Sequence, residues 1–317
     1  MSIKMQILYN AMSIIKDDKR NVFYLIYYSA IKSVLVLSIP LASSFIINSV
    51  LSHASISVLI LGLLVITAFV FITFLKIIQE YIVEKFQQKI FIQTSIKISR
   101  LAVDLENDEN KDQIDRYMNY FFDVSSIKKL FPIVLLDGTG LIMQIAVSLL
   151  LLLAFDPLLF SFAIVLFIVY IMLLILLGHN GIKYAIERSD AKHKSIYFLQ
   201  HIPELKEPKE KILEEYDAHL NNYVETRDKS FRVIIRQLGL TFFMEGFILS
   251  GFLILGGHLV INGTLPVGEF VAAEIIIVSI IYSLKVFVKQ IDYIYDMIEG
   301  FYKLDKLSSS LSEKNYE

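Results

Sequence analysis

Six apolar runs, Ser33–Val50, Ser57–Leu75, Ile133–Phe155, Pro157–Leu177, Gln237–Val260 and Val267–Leu284, alternate with polar segments of two very different lengths. Each run is close to the ~20 residues that an α-helix needs to cross the hydrocarbon of a bilayer. The pattern predicts an all-α membrane protein with six transmembrane helices. Three connections are short: Leu51–Ile56, the single residue Asp156, and Ile261–Pro266. The other two, Lys76–Pro132 and Gly178–Arg236, are long enough to hold structure of their own.

Those long connections carry helical periodicity. Lys76–Val103 contains neither Gly nor Pro, and Ile78, Ile82, Phe86 and Ile90 recur every fourth residue among polar neighbours, the stripe of an amphipathic helix. The second crossing is therefore expected to continue beyond the bilayer, and Tyr117–Leu130 to lead back into the third. Gln200–Arg236 repeats the pattern with Ile212, Tyr216, Leu220, Tyr223 and Phe231 on a charged background. Extensions of about 25 residues project roughly 35–40 Å. Short transverse pieces are expected at their far ends. One is Asp104–Arg116, where Asp104, Glu106, Asp108 and Glu109 suit a helix start. The other is Leu199–Pro208, where Pro203 and Pro208 bracket a helical turn over Glu204, Leu205 and Lys206. Stalks that end in transverse segments suit the docking of another protein.

Charge orients this arrangement. None of the 30 lysines and arginines falls in a short connection; all lie in the long connections, the two tails and the bordering ends of the apolar runs. By the positive-inside rule the long connections and both termini are cytoplasmic, and a bacterial cytoplasmic (inner) membrane is the expected location. Lys32 and Lys285 are expected to lift their ammonium groups to the interface. Residues 1–20 read as an interfacial elbow helix with Met5–Ile15 amphipathic, residues 21–307 as the six-helix domain, and residues 308–317 as a polar tail. Ala42, Ser43 and Ser44 resemble a small-residue cleavage site, but the apolar run continues past them, so the first run reads as a retained helix.

Composition narrows the chemistry. Hydrophobic residues make up 55% and charged residues 20%, and mean hydropathy is +0.59, too apolar for a soluble domain. Acids mingle with the bases for a net charge of −2, which gives no basic field for nucleic acid. The absence of cysteine rules out disulfides and thiolate chemistry. None of the 13 glycines forms a phosphate-binding G-x-x-x-x-G-K-[ST] turn, and the six histidines show no metal-ligand spacing. The chain is not expected to be an enzyme by itself, nor to hold a cofactor. Gly251, Gly256 and Gly257 read as a helix-packing surface.

Carboxyls in apolar runs are costly and face a cavity or a partner helix. Counted from the short turns, Glu274 lies about 10 Å deep, and Asp137 and Glu245 about 27 Å deep, near the inner interface. Glu274, with Gln144, Asn48 and Tyr170, could line a cargo pathway; the same residue types also serve as hydrogen-bonding contacts between helices.

The run Leu259–Ala272, LVINGTLPVGEFVA, is similar to the outer turn into the sixth helix of type I ABC exporter transmembrane domains. The stretch from Ala273 to Asp296 resembles the subgroup that exports bacteriocins and other peptides or proteins. Pro203-Glu204-Leu205-Lys206 with Glu210 is similar to that subgroup's second coupling helix. The resemblance covers about residues 10–307 and implies the ABC exporter type I transmembrane fold. It also implies a second transmembrane subunit, as a homodimer, enclosing the pathway, and a nucleotide-binding ATPase subunit in trans that holds ATP and Mg. Asp112, Gln113, Asp115, Arg116 and Tyr117, together with Leu199, Gln200, His201, Ile202, Pro203, Glu204, Leu205 and Lys206, would couple the ATPase to transport. Membrane lipid surrounds such a subunit, and a periplasmic adaptor is a further implied partner. Two features depart from the family. Asn110–Ile114 replaces the usual T-G-E-I-type sequence of the first coupling region, and neither a nucleotide-binding domain after Tyr302–Leu307 nor a cysteine peptidase is present in the sequence. A lipid or drug exporter subunit, or a non-transporting scaffold or immunity protein with an exporter-like fold, are the alternatives. A secondary transporter is disfavoured by a single deep carboxyl.

Overall fold

The computed structural model describes residues 19–53, 58–104 and 132–296, which are helical almost throughout. The first crossing is made of α1 (Lys19–Val36) and α2 (Ser38–Leu51). It is longer than the apolar run from Ser33 suggested, and it breaks at Leu37. Pro40 explains the break: it has no N–H to offer the Val36 carbonyl and its ring crowds that oxygen. The chain tightens instead, with Leu37 N donating to Val34 O at 3.1 Å, and helical bonding resumes from Leu41 N to Leu37 O at 3.2 Å.

The second crossing, α3 (Val58–Asp104), is one helix of 47 residues, about 70 Å long, so the predicted helical extension is present. A π-helical turn over Pro132–Gly138 leads into α4 (Thr139–Phe155). Asp156 alone separates α4 from α5 (Pro157–Leu177). Its carboxylate accepts from the amides of Leu158 at 2.7 Å and Leu159 at 3.2 Å, and Pro157 at the first helical position gives up an amide that would have lacked a partner. The fourth crossing then stops at Gly178 and restarts as α6 (Gly181–His201), with Asn180 at φ 65°, a left-handed conformation asparagine tolerates.

A 3₁₀ turn over Ile202–Glu204 precedes α7 (Lys209–Ile261), which runs unbroken for 53 residues, about 80 Å. The turn that was expected over Glu204–Lys206 therefore lies two residues earlier. Pro203 sits inside it, where its fixed φ favours a first turn, and Leu205 is already extended at ψ 128°. Gly263, at φ +73°, closes the far end of α7, with Gly263 N donating to Val260 O and Thr264 N to Leu259 O, each at 3.0 Å. The sixth crossing, α8 (Val267–Lys289), is followed by a short helical stretch over residues 291–296.

Six helical units among the described residues are long and apolar enough to cross a membrane, which marks a multi-pass membrane protein. α8 is at their centre, packed on α2, α4 and α7, and Ala272, Ala273, Ile276, Ile277 and Ile280 on it are almost fully enclosed. Apolar lipid tails provide no hydrophobic drive between helices, so close approach through small residues has to hold them together. A Cβ on Gly268 would lie 2.4 Å from the Ser44 carbonyl oxygen, one on Gly251 2.7 Å from the Phe162 ring and one on Gly256 2.5 Å from the Phe270 ring. Gly257, expected in the same packing surface, faces open space. Ala42 and Ser44 are buried in this bundle.

Candidate functional site

α6 packs on α7 as a hairpin that leaves the apolar bundle at its basic end. Near the hairpin's far end Phe198 lies flat on Tyr216, centroids 6.0 Å apart and planes at 9°, and tilts against His219 at 5.0 Å. Ser195 Oγ donates to the His219 carbonyl at 3.2 Å, so both helices of the hairpin are tied before the tip. His201 Nδ1 lies 2.8 Å from the Tyr197 carbonyl oxygen at the end of α6. The predicted segment Leu199–Lys206 forms the tip: Leu199 and Leu205 are exposed, as are Gln200, Pro203, Glu204 and Lys206, while His201 and Ile202 are half-buried. Exposed leucines beside opposite charges suit a protein contact. The other predicted docking residues, Asp112, Gln113, Asp115, Arg116 and Tyr117, lie outside the described residues, as do the elbow helix through residue 18 and the tail 308–317.

Where the hairpin leaves the bundle, charges lock it to the segment after α8. Arg188 of α6 is 6% exposed. Its guanidinium donates to Asp292 Oδ1 at 3.0 Å, to Asp296 and, at 3.5 Å, to Ser230 Oγ of α7. Arg227 of α7 grips the same Asp292 with two nitrogens, at 3.2 and 2.9 Å, the forked geometry that makes arginine–carboxylate pairs strong. Asp292 and Asp296 are four residues apart on one helical stretch and so share a face. Two cations meet two anions, and three chain segments meet there.

The lock differs in how it treats its two acids. Burial works against the charge of Asp292, but the bonds from Arg227 and Arg188 outweigh it and hold the carboxyl below the usual aspartate range. Burial lifts Asp296 above that range; Arg188 opposes the lift and the neighbouring charge of Asp292 adds to it. Beside the lock, Tyr295 packs into the break between α5 and α6: a Cβ on Gly181 would lie 2.4 Å from its ring, so only glycine leaves room for it. Its hydroxyl donates to Gln237 Oε1 at 3.4 Å, and Gln237 donates to the Leu174 carbonyl at 3.2 Å. Sequence reading missed this lock. Its only local signal was the pair of aspartates at one-turn spacing just past the last apolar run.

The candidate pathway residues are spread through the bundle and do not converge. Asn48 of α2 accepts the Gly268 amide at 2.9 Å, which caps the start of α8. Gln144 of α4 donates to Ser279 Oγ at 2.7 Å and accepts from Ser283 Oγ at 2.9 Å, joining α4 to α8. Tyr170 and Thr241 share a hydroxyl contact of 3.0 Å between α5 and α7. Glu274 has an enclosed Oε1 that makes no hydrogen bond to the described residues. Of the two acids expected near the inner interface, Glu245 pairs with Lys285 at 2.8 and 3.0 Å, and Asp137 accepts from Gln290 at 3.0 Å. Lys32 and Lys285, expected to lift their ammonium groups to the interface, both find partners on neighbouring helices. Lys285 pairs with Glu245, and Lys32 donates to Gln79 Oε1 at 3.1 Å. Among the described residues no group of three or more histidines and acids is arranged to hold a metal ion. A scan against protein-family models gives no match, and neither does a search of the curated proteins.

Proposed function

We propose that this chain is the membrane-spanning subunit of an ATP-driven ABC exporter of the type I class, exporting peptide or protein cargo, with a nucleotide-binding ATPase engaging the α6–α7 tip. The observation that supports this most is the continuity of α7 from the tip to the last short turn. One stiff helix joins an exposed segment to the membrane-crossing bundle, and the Arg188–Asp292–Arg227 lock ties that helix to the segment after α8. The distribution of basic residues puts the tip in the cytoplasm, where ATP is. In a dimer, ATP binding by the ATPase would draw the tips together and reorient the cavity as a rigid-body switch. Lipid or drug cargo is the alternative within the same class.

Isolating the complex from native membranes and identifying its chains tests this directly, with an ATPase bound through the tip as the expected result. E204K and K206E are expected to uncouple ATP hydrolysis from transport in a folded protein; normal transport by both would refute the placement. A second reading, a scaffold or immunity protein that moves no cargo, draws on the commitment of Asn48 and Gln144 to contacts between helices. A native complex that holds no ATPase would favour it.

A further inference from the structure

A cleft of about 280 Å³ with a mixed polar and apolar lining opens among α1, α3, the π-helical turn, α4 and α8, and its polar residues include Lys32, Lys76, Asp137, Gln144, Tyr282 and Ser283. Measured along the helices from the short-turn end, Lys32, Lys76 and Asp137 lie about 27–29 Å away and Tyr282 about 23 Å. Across ~30 Å of hydrocarbon, that is the level where headgroups begin at the basic end of the bundle.

We infer that this cleft binds the phosphate of an anionic phospholipid headgroup. Its charge is suited to that: two lysines against one aspartate line it, and the charge of Lys76 acts on Lys32. An anion between them would relieve that repulsion. The Lys32 ammonium has three donors, of which Gln79 takes one. Gln79, fully enclosed, is itself fixed by donating to Ser29 Oγ at 2.7 Å, so Lys32 is held in place. Across the cleft, the ammonium faces Gly140, where a Cβ would be in ordinary contact with Lys32 Nζ at 3.6 Å. Asp137 is occupied by Gln290 at 3.0 Å, and Glu80 is the other acid whose charge reaches Lys32. At the mouth, Tyr282 is 67% exposed and Val286 36%, giving acyl chains an apolar surface directly beside the cations. A cleft that sets cations beside apolar side chains fits an amphiphile better than a free ion. Basic pockets between membrane helices recognise anionic lipids by this chemistry.

The inference does not rest on the transport reading, and its test needs the full chain alone. The purified protein in detergent is offered equal amounts of dioleoyl phosphatidylglycerol and dioleoyl phosphatidylcholine, and bound lipid is counted by native mass spectrometry. The wild type is expected to retain phosphatidylglycerol in preference. K76Q should lower that preference about 5-fold and K32Q/K76Q about 25-fold. R232Q/R236Q, which removes as much charge from the exposed face of α7, should leave it unchanged. Lys76 is exposed, so K76Q spares the packing and decides the question even if the double variant fails to fold. Undiminished preference in K76Q, or an equal loss in R232Q/R236Q, would overturn the site. Displacement of the lipid by excess inorganic phosphate would make it a site for the soluble anion instead, and would overturn the lipid assignment.

Discussion

The apolar bundle around α8 and the base of the α6–α7 hairpin solve the same problem, holding helices together, with opposite means. Around α8 the contacts are neutral except for the Lys285–Glu245 pair near its basic end: Gly268 is pressed against the Ser44 carbonyl, and Gln144 is strung between Ser279 and Ser283. At the hairpin base they are ionic, with Arg188 and Arg227 closed on Asp292 and Asp296. Where lipid surrounds the helices, only shape and modest hydrogen bonds favour association. Outside the apolar bundle, charges can be paired and partly enclosed, and such a site becomes sensitive to loss of a single member.

The largest effect should follow from breaking the ionic region on one side only. R188A leaves two carboxylates short of a partner and should cost about 3–5 kcal/mol, read by thermal unfolding in detergent and by proteolysis of the hairpin. Replacing all four charged residues with apolar ones of similar volume should cost far less, because no charge is then left buried alone. A fourfold variant as damaged as R188A would show that the lock acts through shape. In the neutral region, G268A should cost about 1–3 kcal/mol, since the obstructing atom is backbone and cannot swing aside, while G257A should be close to silent. Q144L should cost only about 0.6 kcal/mol, the usual scale of a hydrogen bond between membrane helices; a loss as large as that of R188A would abolish the contrast.

Acid provides the finest comparison. Asp292 has a depressed folded-state value, so its stabilisation is present above the ordinary aspartate value of about 3.9 and is lost as pH falls through the lower folded value. Asp296 is raised and acts with the opposite sign, favouring the folded state slightly as pH falls through its range. Protease resistance of the hairpin should therefore hold down to about pH 4 and decline only below it, whereas D292N should start lower and lose that acid-dependent step.

What the sequence disclosed, and what it withheld, follows from how far apart the interacting residues lie. The short connections at Asp156 and Ile261–Pro266, the helical continuation of α3 and the tip at Leu199–Lys206 were legible because periodicity, caps and prolines act within a turn or two. The break at Leu37 was equally local, with Pro40 in plain view, yet the apolar run hid it. The pairs that shape the candidate sites join distant positions: Asn48 to Gly268 across 220 residues, Arg188 to Asp292 across 104, and Gln144 to Ser283 across 139. Apolar patterning shows that Gln144 lies in a membrane helix, but not that its amide is spent on two serines.

Asp156 also couples two crossings mechanically. With a single residue between them, α4 and α5 cannot be drawn apart at that end, and the carboxylate that caps α5 takes away the remaining slack. The two behave as the arms of a fixed fork. Any passage through this molecule has to widen along other seams, and whatever tilts one of the pair must carry its neighbour with it.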